Sequence, residues 1–125
     1  MMTDADIPPP GWSMQSLGEY QKDIHEWHVH NFGDNDACPP TLVALALTEE
    51  VGELSRCAVK HYQGIRGTPD EWLAEMQKEI GDVFILLAEV ASRYGINLGP
   101  AVWDRWNTIY RRDWRTNSVG HGMPS

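Results

Sequence analysis

The sequence predicts an all-α protein built as a four-helix bundle. Apolar residues recur at helical spacing in four stretches, and Gly, Pro, Asn or Asp separates each stretch from the next. No stretch alternates apolar and polar residues as a half-buried strand does. Four helices with short connections pack most simply as a bundle, and 125 residues suit one domain.

The first two helices are predicted over 14–31 and 42–62. A proline run at 8–10 prevents an earlier helix, and Ser13 can cap the first one. The connection between the two helices (FGDNDACPPT) has loop composition and ends at Thr41, a second candidate cap.

The third helix is predicted over 69–94 and the fourth over 99–114. Thr68-Pro69-Asp70-Glu71 is a capping box with proline at the first helical position, and Gly95 suits the left-handed position after a helix. The fourth helix carries an aromatic face suited to a helix interface: Trp103, Trp106, Tyr110 and Trp114. We expect one helical domain over 13–115, a flexible lead-in over 1–12 and a flexible tail over 116–125.

The charge and the length of the apolar stretches exclude several function classes. With 18 acidic and 10 basic residues the net charge is -8, which opposes binding of duplex nucleic acid through its phosphates. No apolar stretch approaches the ~20 residues that span a bilayer, and the chain does not open with a signal-peptide pattern. We therefore expect a cytoplasmic protein that binds neither duplex nucleic acid nor membranes.

One eight-residue pattern occurs in both the second and the third helix. Residues 47–54 (LTEEVGEL) align with residues 76–83 (MQKEIGDV) as apolar, x, x, Glu, apolar, Gly, acid, apolar. At about 100° per residue, the apolar positions of each helix form one stripe, and two acids lie roughly 60° and 120° to its side. The stripes, which we expect to face the core, are Leu47, Val51, Leu54 and Ala58, and Met76, Ile80, Val83 and Leu87.

The four acids of the repeat predict a metal site. They are Glu50, Glu53, Glu79 and Asp82, and antiparallel helices would bring them to one cleft. Two like charges at 4 Å repel by about 4 kcal/mol at an effective dielectric of ~20, so protonation, a basic partner or cations must offset them. No Lys or Arg occupies the same sector of the acid-bearing turns. Oxygen ligands without His or Cys favour Mg²⁺, with Mn²⁺ as a substitute.

The alternative interpretation is that these acids are ordinary solvated residues of amphipathic helices. The repeat favours the metal site, because it also carries two mid-helix glycines, Gly52 and Gly81. Each costs about 1 kcal/mol against Ala, and a close approach by another helix would explain them.

The combined motif resembles that of a known family. Glu49-Glu50-x-x-Glu53 followed by Glu79-x-x-Asp82 is similar to the EExxE…ExxD pattern of the all-α nucleoside triphosphate pyrophosphohydrolases, which include MazG, dimeric dUTPase and dCTPase-like proteins. Residues 31–34 (NFGD), 50–54 (EVGEL) and 63–66 (QGIR) resemble a MazG-like branch, and the resemblance covers about 27–114.

This resemblance implies an activity and an assembly. The activity is Mg²⁺-dependent hydrolysis of a (deoxy)nucleoside triphosphate to the monophosphate and pyrophosphate, for house-cleaning or control of the nucleotide pool. The assembly is a homodimer or homotetramer that shares helices between its copies. Two alternatives stay open: a phosphoribosyl-ATP-type pyrophosphohydrolase and a non-catalytic helical interaction module.

The resemblance also implies residue roles. Glu50, Glu53, Glu79 and Asp82 would hold the metal, and Glu49 would orient or deprotonate the attacking water. Candidates for the phosphate tail are Lys60, Arg105, Arg111 and Arg112. Candidates for base or sugar contacts are Trp27, Asn31, Phe32 and Asn107.

Overall fold

A computed structural model of the protein describes residues 14–119, which contain four α-helices and no strand. In chain order the helices are α1 (Met14–Phe32), α2 (Pro40–Gln63), α3 (Pro69–Arg93) and α4 (Leu98–Ile109). The predicted all-α, four-helix fold is thereby confirmed. Across 14–119, no helix has both the length and the apolar character needed to cross a bilayer.

The start of α2 differs from the prediction. Pro39 is the N-cap residue, no side chain caps the helix, and Thr41 lies inside the first turn. The prediction of Thr41 as the cap is therefore wrong. Pro40 explains the earlier start, because proline has a helical φ and lacks the N–H that a first turn leaves without a partner. Ser13, the other predicted cap, lies outside the described residues.

The start of α3 agrees with the sequence, whereas α4 is shorter than predicted. The Thr68 hydroxyl accepts a hydrogen bond from the Glu71 N–H at 3.2 Å, and Glu71 accepts one from the Thr68 N–H at 3.1 Å. The fourth helix ends at Ile109 rather than at 114. Beyond the end of the helix the chain forms turns, in which the Asp113 carboxylate accepts a hydrogen bond from the Arg115 N–H at 3.0 Å.

Helices α2 and α3 pair antiparallel along most of their length. Ala46 meets Leu86 around one cavity, and further along α2 the Arg56 guanidinium lies 5.3 Å from the centroid of the Trp72 ring. Position along α2 thus rises as position along α3 falls. This register brings the two copies of the repeat side by side.

The buried core lies between α1, α3 and α4. Ala88, Ala91 and Leu98 form it, and Ile24 and Phe84 pack against it. Gln21 of α1 joins the other two helices, because its Nε2 donates to the Ile96 carbonyl at 2.7 Å and its Oε1 accepts from the Leu98 N–H at 2.8 Å. These two hydrogen bonds attach α1 to the connection between α3 and α4 and to the first residue of α4.

The predicted apolar stripes are not the core of the single chain. Val51, Ile80 and Leu87 are 44%, 54% and 43% exposed, whereas Val43 and Cys57, which share the sector of the acids, are buried. The side of α2 that carries acids is the side that packs against α3. Within one chain the stripes face the core only in part, because Leu47, Leu54, Met76 and Val83 are half-buried and the other stripe residues are exposed.

The predicted close approach at the repeat glycines is also wrong within the described chain. A Cβ atom placed on Gly52 or Gly81 would meet no atom within 4 Å, apart from the backbone of its own helix. Both glycines face open space.

Candidate functional site

Three acids of the repeat come together at the interface of α2 and α3. One carboxylate oxygen from each of Glu50, Glu79 and Asp82 lies within 4.8 Å of those of the other two. We call these three residues the acidic cluster. The antiparallel register explains the convergence, because it aligns the same sector of both repeats.

Glu79 is the innermost member of the acidic cluster. Its Oε2 is buried and has no hydrogen-bond partner in the described chain. Burial raises the pKa of Glu79, a side-chain hydrogen bond with Glu50 raises it further, and so do the charges of Glu50, Glu53 and Asp82. A buried carboxylate oxygen without a donor is destabilising unless a proton or a cation satisfies it.

The cluster has the donor set of a hard divalent cation. Carboxylate oxygens are the ligands that Mg²⁺ and Mn²⁺ prefer, and the unpartnered Oε2 of Glu79 supplies a free lone pair. The residues present therefore fit the expected metal, and Glu50, Glu79 and Asp82 would hold it. Mg²⁺ usually keeps several waters when carboxylates bind it.

The other two acids of the motif lie outside the acidic cluster. Glu53 and Glu49 are exposed, and neither belongs to the group of convergent oxygens. The charge of Glu53 nevertheless contributes to the raised pKa of Glu79. Its role as a fourth ligand and the role of Glu49 toward water stay predictions.

Cys57 lies behind the acidic cluster. It is a buried free thiol whose pKa is raised by burial, and the negative charges of Glu79, Glu75 and Glu53 act in the same direction. A raised pKa keeps the thiol protonated and unreactive. Cys57 therefore serves as a small packing residue.

An apolar cavity of about 340 Å³ opens beside the acidic cluster. Trp27, His28 and Phe32 of α1 line one side, and Ala46 of α2 and Leu86 of α3 line the other. Ala46 lies one helical turn before Glu50, and Leu86 lies one turn after Asp82, so about 6 Å along each helix separates cavity from cluster. The cavity thus lies about one helical turn from the acidic cluster along both α2 and α3.

Two of the predicted base-contacting residues lie in this cavity and two do not line it. The rings of Trp27 and Phe32 pack edge to face, with centroids 5.9 Å apart, and Phe32 lies 4.7 Å from the ring of His28. Asn31 and Asn107 instead donate to the carbonyls of Trp27 and Trp103 in their own helices, each at 2.8 Å.

The predicted phosphate-binding residues lie at a distance from the acidic cluster along the chain. Lys60 is in the last turn of α2 and its Nζ donates to Gln63 at 3.4 Å. The guanidinium groups of Arg111 and Arg112 lie over the rings of neighbouring aromatic residues, and Arg105 lines a shallow groove on α4. Among the described residues α4 packs against α1 and α3 and not against α2. The phosphate role of these residues stays a prediction.

Sequence reasoning missed part of the cavity and the polar network behind it. His28, Cys38 and Ile85 line the cavity, and Glu89 and Arg93 form a buried ion pair next to it. The acidic-basic spacing of Glu89 and Arg93, four residues apart on one helix, is the signal that could have indicated the pair. Its burial depends on how α1 packs, which the spacing does not reveal.

No protein family, curated protein or solved structure that we compared matches this chain. The family resemblance therefore stays a hypothesis that the motif residues carry.

Proposed function

We propose that the protein is a Mg²⁺-dependent nucleoside triphosphate pyrophosphohydrolase. The observation that carries the proposal is the convergence of Glu50, Glu79 and Asp82 around a buried, unpartnered carboxylate oxygen, beside an aromatic cavity. The motif resemblance supplies the reaction class. The geometry supports it, because a metal-binding end and a ring-binding end suit a nucleotide.

In the proposed arrangement, the apolar cavity and the acidic cluster bind different parts of the substrate. The rings of Trp27 and Phe32 suit a flat apolar ring such as a nucleobase, and aromatic pairs of this kind contribute about 0.5–1.5 kcal/mol beyond burial. The acidic cluster would hold Mg²⁺, and the ion would supply the positive charge that a triphosphate needs beside carboxylates that alone would repel it.

The proposed reaction is hydrolysis at the α-phosphorus. The oxygen of a water molecule forms a bond to the α-phosphorus, and the bond from that phosphorus to the oxygen bridging to the β-phosphate breaks. Pyrophosphate leaves, the monophosphate remains, and Glu49 accepts the proton of the water. This role of Glu49 rests on the motif, because its side chain is exposed and outside the acidic cluster.

We also propose that the active form is a homo-oligomer. Because α2 and α3 are antiparallel and both stripes are offset from their acids in the same rotational sense, the two stripes point to the same side of the helix pair. They form one apolar face that includes the exposed Val51, Ile80 and Leu87. An apolar face of this kind on a soluble protein is typical of an interface, and a second copy is the partner that the resemblance suggests.

The experiment is pyrophosphate release from a panel of NTPs and dNTPs with Mg²⁺, Mn²⁺ or EDTA. We expect release from a subset of the panel with either metal and none with EDTA. Asp82→Asn and Glu50→Gln should each lose most of the activity while circular dichroism shows an unchanged helix content.

The matched control is Glu26→Gln, which removes one exposed acid of α1 that pairs loosely with Lys22 at 4.0 Å. It should retain full activity. Full activity in both cluster variants would reject the acidic cluster as the site. No turnover and no metal effect on melting temperature would favour the non-catalytic interaction module.

A further inference from the structure

A buried ion pair lies next to the apolar cavity and has no place in the proposed chemistry. Glu89 and Arg93 of α3 are 0% and 4% exposed, and Arg93 Nε donates to Glu89 Oε2 at 2.6 Å. His25 of α1 lies 3.1 Å from the same Glu89 oxygen through its Nδ1. Two buried charges of this kind persist only when further hydrogen bonds satisfy them.

The remaining donors of Arg93 hold the chain that joins α1 to α2. Its Nη1 donates to the Asn35 side-chain oxygen and to the Cys38 carbonyl, both at 3.4 Å. In return, Asn35 Nδ2 donates to the Arg93 carbonyl at 3.1 Å. Arg93 thus fixes residues 33–39 to the end of α3 through both its guanidinium group and its backbone carbonyl.

His28 completes the network in its neutral form. Arg93 Nη2 lies 2.7 Å from His28 Nδ1, and because a guanidinium can only donate, this nitrogen must accept. The imidazole therefore carries its proton on Nε2. Burial lowers the pKa of His28, which favours the same neutral state.

The charged groups around His28 come from two helices and from the connection between α1 and α2. Glu89 raises the pKa of His28, and Arg93 and His25 lower it. Asp34 and Asp36 of the connection line a polar pocket together with His25 and Arg93. Protonation of Nδ1 would place two donors face to face and break the bond to Arg93, and Nδ1 would then face Glu89 Oε2, which lies 3.4 Å away.

Two residues that Arg93 contacts in this network also line the apolar cavity. His28 and Cys38, which Arg93 contacts through Nη2 and Nη1, both line the cavity. Any movement of residues 33–39 away from α3 would therefore open the cavity on the side of Cys38.

We propose that Arg93 is the positioning residue of the cavity: it fixes residues 33–39 against α3 through Asn35, Cys38 and neutral His28, and protonation of His28 releases this wall. The cavity keeps its shape at a pH at which His28 is neutral and loosens at a lower pH, at which His28 is protonated. The inference that this wall holds the ring of a nucleotide rests on the proposed function. The inference that Arg93 holds the wall in place does not.

The test measures how accessible the Cys38 thiol is, in a Cys57→Ala background so that one thiol remains. The rate of reaction with 4,4′-dithiodipyridine is measured from pH 8 to pH 5 and divided by the rate of the urea-unfolded protein at the same pH. Circular dichroism at each pH verifies that the helices are retained. Asn35→Ala removes the side-chain link to Arg93 and leaves the buried ion pair intact.

We expect the normalised rate of the parent protein to rise by roughly tenfold or more between pH 8 and pH 5. Asn35→Ala should be about tenfold faster already at pH 8, which corresponds to the loss of one or two net hydrogen bonds. Asn97→Ala, which truncates an asparagine that makes no side-chain cap bond at α4, should match the parent. A flat rate across this pH range, or equal rates for Asn35→Ala and Asn97→Ala, would overturn the proposal.

A second measurement separates this inference from the proposed function. If nucleotide turnover is found, Asn35→Ala should raise KM severalfold with kcat nearly unchanged, because the wall binds the ring and does not touch the reacting atoms. An unchanged KM would overturn the link between Arg93 and substrate. If Cys38 responds as expected but no nucleotide is turned over, the role of Arg93 stands and the proposed function fails.

Discussion

The electrostatic repulsion within the acidic cluster acts most strongly on the carboxylate of Glu79. Its raised pKa means that the folded chain binds a proton more tightly than the unfolded chain, so at neutral pH the ionised carboxylate destabilises the fold. We expect Glu79→Gln to raise the melting temperature in EDTA by a few degrees. The same variant should abolish the rise in melting temperature that Mg²⁺ gives the parent, since a primary amide is a poor ligand for this ion.

Differential scanning fluorimetry with EDTA and with millimolar Mg²⁺ measures both effects. Glu26→Gln serves as the control and should show the parent's response to the metal. A melting temperature that Mg²⁺ raises equally in Glu79→Gln and in the parent would remove Glu79 from the set of ligands.

The neutral state of His28 makes the stability of the fold depend on pH. The folded pKa lies below the ordinary value of 6.5, so below about pH 6.5 the unfolded chain takes up the proton first. The stabilisation is fully present above pH 6.5 and is lost as pH falls toward the folded pKa. We expect the free energy of unfolding, from urea titrations at pH 8, 7, 6 and 5, to decrease across the acid half of this range.

His28→Gln should flatten that decrease, because the amide oxygen can accept from Arg93 and does not titrate. His30→Gln, an exposed histidine on the same helix, should retain the parent's pH dependence. Equal slopes for the two variants would show that another group controls the acid destabilisation.

The helix ends show which local features of the sequence are decisive. The capping box of Thr68 and Glu71 was predictable, because both of its hydrogen bonds join residues three apart. The end of α4 was not, because the helical spacing of Trp106, Tyr110 and Trp114 continues past Ile109, where the helix ends. Side-chain periodicity shows which residues would share a face of a helix and does not show where the helical backbone ends.

Replacing a glycine inside α2 and replacing the glycine that ends α2 should change the stability of the protein in opposite directions. Gly52 faces open space inside the helix, so Gly52→Ala should raise the free energy of unfolding by about 1 kcal/mol. Gly64 ends the helix with a φ of +68°, so Gly64→Ala should lower it by about 1 kcal/mol or more. Urea denaturation of the two variants and the parent measures both, and a destabilised Gly52→Ala would show that another helix packs there.

At the scale of the molecule, the sequence predicted the four helices and a cluster of four acids, of which three come together, but not which face of each helix is buried. The repeat placed Glu50, Glu79 and Asp82 in matching sectors, and antiparallel pairing was enough to bring them together. On a single helix, the apolar stripe beside these acids has the pattern of a face that packs into a core. Only the packing of α1 and α4 against α3 decides that the chain buries other residues and leaves Ile80 exposed.

The exposed stripe yields the prediction for the whole assembly. Few large apolar side chains are buried in the described chain, and a domain of this size is marginal without more burial. We expect the protein to be a dimer or tetramer, and Ile80→Lys to shift it toward monomer because a lysine at the centre of the stripe would be desolvated in the interface. Analytical ultracentrifugation at several concentrations measures the shift.

The matched control is Val59→Lys, which replaces a residue of α2 that is 50% exposed and lies outside the stripe. It should leave the oligomer intact. A monomeric parent protein would contradict the proposed assembly outright. An oligomer that survives Ile80→Lys would instead place the interface on the aromatic face of α4, where Trp103 and Trp106 are both exposed. Because the three arginines proposed for the phosphate tail, Arg105, Arg111 and Arg112, lie on or just after α4, that outcome would also change which copy's arginines lie near the acidic cluster.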